Sequence, residues 1–205
     1  MSSVELFVAF AICLTVVLGA TVFLTNFRRG ANQHYLILSI VGACWLLATF
    51  FILRAENSTT ATIMLQAAAA FGAMIPTSCH LIRMAIKYPS DNGWEIIVRA
   101  RYLLVITFLI VLLCNSNAFL KDVIMPGTGK GAPKVVEPIY GPPFYIFLSY
   151  LFAMTLSLCY IFVKDRKKLT GSRRIELDFV IFGSITALVF GIVIGQTAAV
   201  ITKNS

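Results

Sequence analysis

Residues 35–53 read YLILSIVGACWLLATFFIL, nineteen consecutive positions without a charged side chain. An α-helix rises about 1.5 Å per residue, so this run nearly covers the roughly 30 Å hydrocarbon core of a bilayer. Its apolar residues lie on every face of the helix, and they lack the alternation of a barrel strand. The run therefore reads as a membrane-spanning helix.

Working outward, comparable runs of about 18–27 residues end at polar breaks near 4–26, 60–86, 101–118, 143–163 and 177–201. The first has Glu5 ahead of it, no basic segment, and too great a length for a signal-peptide core, so it reads as a retained helix. The whole chain agrees with the local reading: 59% of residues are apolar, 13% are charged, and the mean hydropathy is +0.86. A soluble domain carries about 25% charge, and half that cannot cover a water-facing surface of this length. A cytosolic enzyme, a disulfide-stapled secreted scaffold and a disordered tail are excluded. The expected fold is all-α: one polytopic membrane helix bundle over residues 1–205, with about six transmembrane helices.

The net charge of +8 is distributed as membrane flanks, not as a basic face for nucleic acid. Twelve of the seventeen Lys and Arg fall on alternate connections: Arg28 and Arg29; Arg83, Lys87, Arg99 and Arg101; and six between Lys164 and Arg174. That side is expected to be cytoplasmic, which puts the amino terminus, and with six spans the carboxyl terminus, outside. The connection at about 119–142 is then external. With the adjoining Pro143 it holds five of the seven prolines, and it has four glycines, so no long helix forms there, and it reads equally as a functional loop or a tether. The five cysteines all lie inside apolar runs and read as small hydrophobic residues.

The sequence carries no nucleotide-binding, zinc-hydrolase or Ser-His-Asp signature, so no enzyme activity, metal or cofactor is expected. Two histidines, His34 and His80, cannot ligate a pair of hemes, and they read as interfacial polar groups. Lys203 lies beyond the last span, which excludes a retinal Schiff base. The span cores hold no Asp, Glu, Lys or Arg once their ends are trimmed, which argues against a proton-coupled transporter. Arg83, Lys87 and His80 are expected to snorkel to the cytoplasmic surface, and Glu176 and Asp178 to sit at the positive end of a helix dipole.

What remains is a neutral polar set in the outer halves of the helices: Thr49, Gln66, Asn115, Tyr145, Ser149, Gln196 and Thr197, with Trp45 near the middle of its span. Two buried amides, Gln66 and Gln196, either bond each other across helices or line a small pocket open to the outside. Pro76 removes a backbone donor midway along its helix and is a candidate hinge. Gly183, Gly191 and Gly195 offer a small-residue face for close helix packing, inside the bundle, in a homodimer or against a partner membrane subunit. Asn57-Ser58-Thr59 matches a glycosylation acceptor, relevant only where the chain passes through a secretory compartment. The basic run 164–174 is a topology determinant that also suits anionic membrane lipid.

Several residues together resemble a known family. Arg28-Arg29 and Asn32 ahead of Trp45 are similar to the second helix of the seven-helix amino-terminal sensor domain of bacterial histidine kinases. Pro76 with the exit Lys87-Tyr88-Pro89 resembles that family's third helix, Tyr140-Gly141-Pro142 with Tyr145 and Tyr150 the start of its fifth, and Arg173-Arg174 leading to Glu176 and Gly183 the turn into its sixth. The resemblance implies a bacterial inner (plasma) membrane protein of a two-component system. It departs where the family's seventh helix and any kinase output would follow Thr202-Lys203-Asn204-Ser205. The expected function is a sensory domain that binds a small external or lipid-soluble signal and relays it by helix rearrangement to an output elsewhere. The alternative is a non-catalytic assembly subunit of a membrane complex, and a small transporter comes third.

Overall fold

The computed structural model describes residues 3–127 and 136–183. Helix α1 (Ser3–Thr25) and helix α2 (Gly30–Leu53) form a hairpin around the turn that carries Arg28 and Arg29. The two helices approach most closely at Gly19, where a β-carbon would overlap the side chain of Ser39. Asn32 stitches the turn from the side, its amide donating to the Val22 carbonyl at 2.8 Å and to Thr25 Oγ1 at 3.1 Å.

Helix α3 (Ser58–Lys87) starts cleanly because the Asn57 side chain accepts from the Thr60 amide at 2.7 Å. It is the central element, packing against α2 and against the later helices, and it carries much of the buried apolar surface. Helix α4 (Gly93–Arg99) opens on a reciprocal capping box between Asn92 and Glu95. Helix α5 (Arg101–Cys114) continues from it after a bend of 75°.

The span expected at about 101–118 is thus shorter and differently begun. Its helix has 14 residues and stops at Cys114, because the Asn115-Ser116-Asn117 stretch turns the chain, with the Ser116 hydroxyl donating back to the Leu113 carbonyl at 2.7 Å. The segment that follows forms no long helix, as expected, and contributes a hairpin. Strand β1 (Leu120–Ile124) pairs antiparallel with strand β2 (Glu137–Tyr140), with Leu120 opposite Tyr140 and Ile124 opposite Glu137. Leu120 and Val123, three residues apart across an irregularity in the pairing, are both buried and pin β1 to the bundle end. At Gly141 the chain passes so close to the Ala118 carbonyl that any β-carbon would overlap its oxygen. Helix α6 (Pro143–Arg166) begins with proline in its first turn, where a missing amide hydrogen costs nothing. A further helix, α7, is described over 172–183.

Four of these helices are long and apolar enough to span a bilayer, and a fifth span results if the bent pair α4–α5 is taken as one. Most of the expected span 177–201 lies outside the described residues, as do Gly191, Gly195, Gln196 and Thr197. Gly183 stands on α7 with open space where a β-carbon would be, so no described helix packs on it. Large apolar side chains cover the outer surface, among them Phe7 and Phe10 of α1, Phe108 of α5 and Phe152 of α6, as expected for lipid as solvent.

Ion pairs gather at one end of the bundle, the end where the sequence concentrates Lys and Arg. Arg29 pairs with Glu176 at 2.6 Å, Arg99 with Asp91 at 2.7 Å, and Arg166 with Asp178 at 2.7 Å. Glu176 and Asp178 therefore act as counter-ions for neighbouring elements, beyond any role at a helix terminus.

Candidate functional site

The described core has polar contacts at three depths, and α3 takes part in each. At mid-depth, Thr77 lies next to Pro76 on α3, Thr107 lies on α5 and Tyr150 on α6, and all three are buried. Their hydroxyls form a closed triangle: Thr77 to Thr107 at 2.7 Å, Thr107 to Tyr150 at 2.9 Å, and Thr77 to Tyr150 at 3.1 Å. With one proton on each hydroxyl, Tyr150 donates to the Ala73 carbonyl at 3.1 Å and Thr107 to the Leu103 carbonyl of its own helix at 2.9 Å, which leaves the Thr77 proton to be shared between the other two oxygens. Three helices are thereby joined where proline removes a backbone donor from one of them. In an apolar interior each hydroxyl needs a partner, and here each finds two or more.

Nearer the cation-rich end, α3 and α6 are tied again. Asp165 is 2% exposed, and it accepts from Arg83 Nε at 2.6 Å and from Lys87 Nζ at 3.1 Å. Arg83 itself is only 8% exposed. This corrects the expectation that Arg83 snorkels to the surface: a buried carboxylate from α6 holds it inside, because two cations and their hydrogen bonds compensate for the desolvation. Lys87 pairs with the same carboxylate while its side chain stays 30% exposed.

Toward the opposite end, Gln66 of α3 donates to the Ser116 carbonyl at 3.2 Å, at the turn that follows α5. The space beneath the hairpin is filled by rings: Phe119 stands edge-on to Tyr140, Phe144 and Phe147 at 5.7–6.0 Å between centroids, and Tyr140 stacks on Phe144 at 3.9 Å. Partial burial against these rings raises the pKa of the Tyr140 phenol above its ordinary value, so it stays a neutral hydroxyl at physiological pH.

The candidate residues from the sequence fall in separate places. Trp45 of α2 faces α3, its indole nitrogen 3.8 Å from where a β-carbon of Gly72 would stand. Thr49, one turn on, donates to the Trp45 carbonyl at 3.0 Å. Gln66 looks instead toward α5. Asn115 is exposed and donates to the Val111 carbonyl at 2.8 Å, while Tyr145 (71% exposed) and Ser149 lie on the outer face of α6. These side chains do not converge on one described cavity. The hydroxyl triangle and Asp165 were missed because the signal for them is tertiary: a threonine or tyrosine at helical spacing looks like any other until three helices bring them together.

A polytopic helix bundle whose inner contacts link helices at several depths defines an integral, multi-pass membrane domain. Over residues 7–201 the sequence matches the family described as the N-terminal 7TM region of histidine kinase, and the chain belongs to that family. It is accordingly a membrane sensor domain. No curated protein and no solved structure matches the chain.

Proposed function

We propose that this domain binds a small external or lipid-soluble signal near the outer ends of α3, α5 and α6 and relays it as a movement of α3 against α6. The output lies on the cytoplasmic side, at the cation-rich end. The observation that carries this reading is the double tie between α3 and α6. Tyr150 holds the chain at Thr77 and Ala73, on either side of Pro76, and Asp165 holds it at Arg83 and Lys87. A ligand that shifts the outer part of α3 moves the Pro76 region first, and the Asp165 contact carries the shift to the end where an output would read it. Population shift of this kind requires only that the ligand bind one arrangement better than the other.

The purified domain, screened by thermal shift against metabolites and quorum signals, is expected to show concentration-dependent stabilisation by a ligand. Replacing Gln66 and Gln196 together by Leu abolishes that shift while the protein still folds. A double variant that responds normally would refute the ligand site. An unresponsive native domain that copurifies with a fixed membrane partner would favour the assembly-subunit reading instead.

A further inference from the structure

His34, at the start of α2, is 2% exposed, and neither of its ring nitrogens meets a hydrogen-bond partner among the described residues. An imidazole left unpaired away from water is unfavourable, and native structures seldom keep one without a reason. The ring borders a groove of about 350 Å³ between α2 and α4. Gln33, His34 and Asn92 give the groove a polar wall, and Ile37, Trp94 and Ile97 an apolar one.

The position of the groove narrows what can occupy it. Arg28 and Arg29 precede α2, and Arg99 and Arg101 bracket the bend after α4, so the groove lies at the cation-rich end. α4 turns 75° away from α5, which lays it close to the membrane plane when α5 crosses the bilayer. Trp94 is 70% exposed and Ile37 40%, and an exposed tryptophan at this level is an interfacial anchor. The groove therefore opens at head-group depth, toward lipid. A neutral imidazole offers one donor and one acceptor. Its partner thus needs an acceptor and a donor close together, on a body that is otherwise apolar.

We propose that this groove is a specific site for a phosphoglyceride of the cation-rich leaflet. Both ring nitrogens are closed off as His34 now stands, and a turn of the imidazole toward the groove lets a phosphate oxygen accept from one of them and a head-group hydroxyl donate to the other. An acyl chain lies along Ile37, Trp94 and Ile97. Among the described residues no arginine lines the groove, and with Arg29 and Arg99 held in ion pairs it is the other two flanking arginines, Arg28 and Arg101, that favour the phosphate electrostatically.

The chain has two tryptophans, so Trp45→Phe leaves Trp94 as the reporter. The protein is reconstituted in phosphatidylcholine nanodiscs doped with chain-brominated phosphatidylglycerol, and Trp94 quenching is followed against mole fraction. Quenching is expected to saturate at low mole fraction. His34→Leu removes both hydrogen bonds to the head group and should require at least about tenfold more brominated lipid for half-maximal quenching. Ile97→Phe fills the groove without touching His34 and should do the same, which covers the case in which the His34 variant fails to fold. Excess soluble glycerol phosphate should not relieve the quenching. Quenching that rises in proportion to mole fraction, or that survives Ile97→Phe unchanged, would overturn the proposal. Relief by soluble glycerol phosphate would overturn it too, by assigning the site to a free phosphate ester.

Discussion

The Tyr150 hydroxyl lies within hydrogen-bond reach of two threonine hydroxyls and a backbone carbonyl, on two other helices. Tyr150→Phe keeps the ring and leaves Thr77 and Thr107 paired with each other, so the expected loss is modest. Hydrogen bonds between membrane helices average roughly 0.6 kcal/mol and reach about 1.7, and reversible unfolding in mixed micelles would measure it. Asp165→Asn is expected to be far worse, about 3–5 kcal/mol, since Arg83 is then buried without a counter-charge. Replacing both partners, with Arg83→Met and Asp165→Leu together, should cost less than Asp165→Asn alone. If the double variant is the less stable of the two, the carboxylate does more than neutralise Arg83. Neither feature was legible in the sequence. Asp165 sits in a Lys-Asp-Arg-Lys-Lys run that reads as water-facing charge, and only the packing of α6 on α3 turns it inward.

At the scale of the elements, legibility follows length. Runs such as 35–53 are recognisable because a helix in lipid must satisfy its own backbone and present apolar side chains all round, so composition alone identifies it. The bend between α4 and α5 and the β1–β2 hairpin left no such mark, because both depend on neighbours. The hairpin is held by Leu120 and Val123 inserted among α3 and α6 residues, and by the close passage of Gly141 past Ala118. Gly141→Ala forces that passage open and should destabilise the outer end by about 1–3 kcal/mol, visible as faster exchange of the hairpin amides with little change in α1 or α2. Pro76→Ala tests the opposite property. It restores a donor to the middle of α3 and should raise thermal stability. If movement at Pro76 carries the signal, the same variant loses ligand response, and a stabilised variant that still responds would remove the hinge from the mechanism.

For the whole molecule, the arrangement of charge sets which face of the membrane each end meets. The ion pairs Arg29–Glu176, Arg83–Asp165, Arg99–Asp91 and Arg166–Asp178 all lie at one end of the bundle. They bring the three cation-rich connections together, which is what the alternate spacing of Lys and Arg requires. The positive side is expected to face the cytoplasm, so reporters fused after Glu56 or Pro126 should be active only outside, and those after Tyr88 or Thr170 only inside. The reverse order would put the hairpin in the cytoplasm and make any outer-end signal an internal one. Not all the cations have equal weight in this. Arg83 is buried against Asp165 and Arg166 is paired with Asp178, whereas Lys167, Lys168, Arg173 and Arg174 are exposed. Replacing those four by Gln removes no described ion pair and should leave the unfolding midpoint of correctly inserted protein unchanged. It takes away a third of the twelve cations on that side, however, and the bias toward one orientation shrinks with them. A mixed population is the expected outcome, seen as reporter activity on both sides for a single fusion. A variant that still inserts uniformly would mean that orientation is set earlier in the chain, by Arg28 and Arg29 at the first turn.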